Sequence, residues 1–225
     1  MVDYSSSKRF FIPYVGDEYE IGINGKRILV IGASFYCIKK DCPYFADCTN
    51  TDKKDSSYYD LICPFKEGDD LKHEPQYAIE DYEQYKVYLN FSSALQPLVE
   101  NDTDVWKRLA YTNYVQFFLP SFRTKKSYLS DRDFEAFNET VIQLKPDVII
   151  TWGVDTIGAL RDSNPYVYDK DKLADSDWYI AHMIIPGVDH DITCINCYHP
   201  SHRAWHQDVE SFLYYFKKSI GLDAH

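Results

Sequence analysis

The sequence predicts an α/β fold, a three-layer α/β/α sandwich around a mainly parallel four-stranded sheet. Three observations predict it. Short β-branched runs end in Gly or a polar residue, amphipathic helical stripes lie between them, and the two kinds of segment alternate along the chain. With 225 residues, 45% of them hydrophobic, the chain suits a single domain spanning residues 1–225.

The first run, Arg27-Ile-Leu-Val-Ile-Gly32, reads as a buried strand. Ile79, Tyr82, Tyr85 and Leu89 then suggest a helix, followed by a second strand over Leu109–Val115. Phe134, Phe137, Val141 and Leu144 recur at helical steps after the capping candidates Ser130 and Asp131, and Lys145-Pro146 stops that helix. Asp147–Gly153 repeats the design of the first strand, and Asp155–Arg161 reads as a short helix. Ile192–His199 is the fourth strand. A hairpin pairing Tyr179–Ile185 with Asp191–Cys197 through Pro186-Gly187 is an alternative that makes the sheet mixed. Trp205, Val209, Phe212, Leu213, Phe216 and Ile220 form the closing helical stripe, ahead of Gly221. Between the first strand and the first helix lies a Cys-rich insertion at about 37–76.

Composition narrows the partners. The 24 Lys+Arg against 35 Asp+Glu leave a formal charge of −11, a global field that opposes nucleic acid and membrane surfaces and leaves any anion site to a local cleft. Arg123, Lys125, Lys126, His202 and Arg203 are the candidates for such a positive strip. No stretch of about 18 apolar residues occurs, and Met1–Arg9 has no apolar core, so the expectation is a soluble, cytoplasmic chain. The Asn-x-Ser/Thr triplets at Asn90, Asn101 and Asn138 carry little weight in that setting.

In open sheets ligands gather at the carboxyl ends of strands, and three motifs fall there. Gly32-Ala33-Ser34-Phe35-Tyr36 follows the first strand, with Gly allowing a sharp turn and close approach, and Tyr36 available to stack on a ring; a tight turn completed by core aromatics is the plainer reading. Asn113 offers an acceptor and donors in one plane, matching a nucleobase edge, and otherwise caps a turn. Tyr198-His199-Pro200-Ser201-His202 leads into the last helix, where Ser201 and backbone N–H groups suit a phosphate.

Together with Pro146-Asp-Val-Ile-Ile-Thr-Trp152-Gly153, these segments resemble the uracil-DNA glycosylase superfamily over roughly Arg27 to Ile220. The resemblance implies a protein that flips a base out of DNA into a pocket at the strand ends. It implies a catalytic role for His199, which steadies charge on the departing base. Gly32, Ala33, Ser34, Phe35, Tyr36, Asn113 and Trp152 would form the base site, and Ser201, His202 and Arg203 would meet the DNA backbone. The first motif departs from the family pattern, since Ala33, Ser34 and Phe35 supply no carboxylate. Asp155 is the substitute expected from sequence, its alternative being a helix N-cap. A non-catalytic base-binding module of the same fold is the second reading. An unrelated hydrolase using His199 or His202 with Ser34 is the third.

Cys37, Cys42, Cys48 and Cys63 place four thiols in one loop, a set that suits zinc or an iron–sulfur cluster; free thiols are the other reading. Cys194 and Cys197, three apart in a strand, point to opposite faces and read as core residues.

Overall fold

The computed structural model describes residues 7–37, 39–49, 71–100, 102–120, 129–153, 156, 167–172 and 179–223. Nine strands are described: β1 (Tyr14–Val15), β2 (Ile28–Gly32), β3 (Phe35–Tyr36), β4 (Leu109–Asn113), β5 (Phe118–Leu119), β6 (Val148–Trp152), β7 (Val167–Lys172), β8 (Tyr179–Met183) and β9 (Ile192–Cys197). A single turn, α1 (Phe45–Cys48), precedes the helices α2 (Glu74–Glu80), α3 (Lys86–Leu95), α4 (Asp131–Leu144) and α5 (Arg203–Ser219). No helix among the described residues is long and apolar enough to cross a membrane.

The main sheet has the order β1-β4-β2-β6-β9-β8-β7. Its four central strands are parallel, in the order β4-β2-β6-β9. Every residue of β2, β4 and β6 is buried, which is why these segments are unbroken apolar runs rather than alternating ones.

The expected four-stranded sheet is therefore a seven-stranded one, extended at both edges by antiparallel strands. The additions lack the signature of a buried strand. β1 has two residues, and β7 reads Val-Tyr-Asp-Lys-Asp-Lys, a charged pattern suited to an edge. The β8–β9 hairpin is present, and makes the sheet mixed.

The helical stripe expected over Ile79, Tyr82, Tyr85 and Leu89 is broken. Tyr85 adopts an extended conformation between a 3₁₀ turn at Tyr82–Gln84 and α3. The restart at Lys86 resets the phase, so Tyr88, Phe91, Ser92 and Leu95 face inward while Tyr85 is 51% and Leu89 39% exposed. Phe91 sits at the centre of an aromatic cluster, with ring centroids 5.0 Å from Trp152, 5.8 Å from Trp106, 6.1 Å from Trp205 and 6.2 Å from Phe212. That cluster ties α3 and α5 to the sheet directly beneath the strand ends.

At its start, α4 is closed by Asp133, whose carboxylate accepts from the Ser130 backbone N–H at 2.9 Å and the Gln116 N–H at 2.8 Å. The Gln116 amide in turn donates to the Asn113 carbonyl at 2.7 Å and accepts from the Phe10 and Phe11 N–H groups. The chain leaving β4 is thus pinned from several directions. Burial raises the Asp133 pKa above the ordinary carboxyl value, against the lowering effect of these hydrogen bonds.

Candidate functional site

Parallel register brings four strand ends into line. Gly32 lies beside Asn113, and Trp152 beside Cys197, two residues before His199. The chain visits β4 on one side of β2 and then β6 on the other, so the direction of winding reverses at β2. A crevice at the carboxyl ends of such strands is where open α/β sheets hold ligands.

A cavity of about 780 Å³ occupies that place. Gly32, Ala33, Ser34, Phe35, Tyr36, Asn113, Trp152 and His199 all line it, joined by Tyr88, Tyr111 and residues of α2. The sequence candidates at the three motifs therefore converge on one opening.

Gly32 is required by a close approach from within the protein. A Cβ there would lie 2.2 Å from Asn113 Oδ1 and 2.9 Å from the Tyr111 hydroxyl oxygen. Only Gly leaves room for the amide to lie against the end of β2. Phe35 packs edge-on to Phe11 at 5.0 Å and belongs mainly to the core, while half-buried Tyr36 pairs with Leu119 in a small parallel ribbon.

A directed hydrogen-bond chain sets the Asn113 amide. Tyr111 donates its hydroxyl proton to Asn113 Oδ1 at 2.9 Å, so the 3.1 Å contact between the Tyr88 and Tyr111 hydroxyls runs from Tyr88 to Tyr111. Burial raises both phenol pKa values, keeping the chain neutral and its protons in place. With Oδ1 committed, Asn113 Nδ2 is buried and has no hydrogen-bond partner among the described residues; the Trp152 indole Nε1 shares that condition. An unpartnered buried donor is costly, on the order of 1–3 kcal/mol. Both donors belong to residues that line the cavity.

His199 is held by its own loop. The Ser201 hydroxyl lies 2.8 Å from Nδ1 and the Ser201 backbone N–H donates to the same nitrogen at 3.4 Å. Nδ1 is therefore the acceptor and Nε2 carries the proton. The ring sits edge-on to Trp152 at 6.0 Å. Burial, helped by His202, lowers the His199 pKa to about 4, so the imidazole is a neutral donor at pH 7. From α3, the Asn90 amide donates to the Pro200 carbonyl at 2.8 Å and fixes the loop from below. Sequence reading weighed Asn90 only as a sugar acceptor. An amide in mid-helix, one position before a core Phe, was the available signal.

The DNA-contact candidates stand differently. Ser201 is exposed but engaged with His199, and His202 caps α5 by accepting from the Ala204 N–H at 3.2 Å. Arg203 is exposed on the first turn of α5. Asp155 lies outside the described residues, as do Arg123, Lys125 and Lys126; of the segment Asp155–Arg161 only Thr156 is described, and it is helical.

Cys37 is half-buried after β3 and Cys42 is buried, both as free thiols. Cys63 and the side chain of Cys48 lie outside the described residues. Among the described residues no group of three or more His, Cys, Asp or Glu is placed to hold a metal. Burial pushes the Cys194 thiol up to about 12 and raises that of Cys197, which marks both as core residues.

Tyr88, Tyr111, Asn90 and the α2 residues that line the cavity are not among the site residues expected from the sequence. The chain matches no family model and no curated protein sequence.

Proposed function

We propose that this chain takes a flipped nucleobase from DNA into the cavity at the strand ends and excises it, as the resemblance to uracil-DNA glycosylases implies. The three-layer arrangement of that family belongs to the same proposal. The observation that carries it is the meeting of Tyr36, Asn113 and His199 around one cavity, with the Asn113 donor left open by the tyrosine chain. Tyr36 walls a flat ring, Asn113 Nδ2 donates to a ring carbonyl, and the His199 Nε2–H stabilises negative charge as the base departs. A neutral imidazole suits that role, because it binds a developing anion without first losing a proton to it. Extruding a base costs a few kcal/mol, least in single strands or at mismatches, so those substrates favour detection.

A non-catalytic base-binding module is the second reading, favoured by the lack of any carboxylate in residues 32–36. Base release from oligonucleotides containing uracil or hypoxanthine separates the two. The excision reading predicts release by the native chain and its loss in the His199→Ala, Asn113→Ala double variant. Release that survives both substitutions contradicts it.

A further inference from the structure

Breaking an N-glycosidic bond develops positive charge on the sugar, and a carboxylate beside it steadies that charge and takes a proton from the attacking water. Among the described residues the strand ends offer no such group, and the α2 side of the cavity does. Glu74, Tyr77, Ala78 and Asp81 all line the cavity. Their spacing, i, i+3, i+4 and i+7, follows one face of a helix, and Glu80 lines the cavity from beside that face.

Three carboxylates reach the cavity from this segment, and they are not equivalent. Glu80 and Asp81 are exposed. Glu74 is half-buried at the other end of the helix, beside buried Pro75. The turn before it is fastened by the Ile12 N–H donating to the Lys72 carbonyl at 2.8 Å. Burial is the main cause that keeps the Tyr88 and Tyr111 hydroxyls protonated, with Glu74 one of several lesser ones. Glu74 lines the same cavity as Tyr88, Tyr111 and Asn113.

We propose that Glu74 is a catalytic residue of base excision, the carboxylate that faces the sugar of the nucleotide whose base occupies the cavity. The inference rests on the excision reading above. The C1′–N bond breaks with its electron pair leaving on the base, where the His199 Nε2–H holds the charge. Water bonds to C1′, one of its protons passes to the Glu74 carboxylate, and Glu74 returns that proton to the base anion, so that one water is consumed per base released.

Single-turnover release and equilibrium binding, measured on single-stranded and duplex oligonucleotides carrying one uracil or one hypoxanthine, test this. Glu74→Gln is expected to slow release by about 100-fold or more, with oligonucleotide affinity within about threefold of the native chain. Glu74→Asp is expected to recover part of the rate, and Glu83→Gln, on the neighbouring turn, to match the native chain. Release by Glu74→Gln at the native rate, while His199→Ala is inactive, overturns the role of Glu74 and leaves the excision reading standing. Equal losses of affinity and rate in Glu74→Gln also overturn it, since they mark a binding or structural role. A native chain that binds these oligonucleotides without releasing a base overturns both the role and the excision reading, in favour of the binding module.

Discussion

His199 shows how much a short loop decides. Ser201 fixes its tautomer, Trp152 sets the plane of its ring, and burial moves its pKa from the ordinary 6.5 to about 4. An NMR titration of the imidazole is therefore expected to show a midpoint near 4, with Nε2 protonated throughout the neutral range; a midpoint near 6.5 contradicts the buried, neutral donor. The sign for stability follows. The unfolded chain takes up the proton first, so the contribution of this group is intact above pH 6.5 and is lost as pH falls from there toward 4. Gly32 and Asn113 were legible as a turn glycine and a planar amide. Their mutual contact was not, because it depends on the register of two strands some 80 residues apart in the chain.

Elements with strong periodicity were the readable ones. The β-branched runs at Ile28–Gly32 and Val148–Trp152 and the stripe of α5 fold as their patterns indicate. The α2–α3 region does not, because an extended Tyr85 splits one apparent stripe into two helices with different phases. On the two sides of the split, Glu74 of α2 and Tyr88 of α3 line the cavity, while Asn90 holds the Pro200 carbonyl and Phe91 packs against Trp152. Phe91 is the packing centre of that arrangement. Phe91→Ala is expected to destabilise the fold by about 3–5 kcal/mol in denaturant unfolding, through the cavity left among Trp106, Trp152, Trp205 and Phe212. A loss below about 1 kcal/mol, within the range of ordinary surface substitutions, contradicts the central place given to this ring.

At the scale of the molecule, the parallel centre of the sheet was legible in its unbroken apolar runs, and the antiparallel edges were hidden by their shortness and charge. The formal charge of −11 sets the terms for a DNA partner. Under the proposed function, attraction to DNA has to come from local groups, of which exposed Arg203 is a described candidate, rather than from the global field. The proposed function places the discriminating power in the cavity, where Gly32, Asn113 and Trp152 at the ends of three parallel strands meet His199 in the loop after a fourth. The most direct measurement is a crystal structure of the chain soaked with uracil. The predicted result is a ring in the cavity beside Tyr36, with carbonyl oxygens within hydrogen-bond distance of Asn113 Nδ2 and His199 Nε2. A cavity that stays free of uracil at saturating concentration, or a ring bound away from those three residues, contradicts the account.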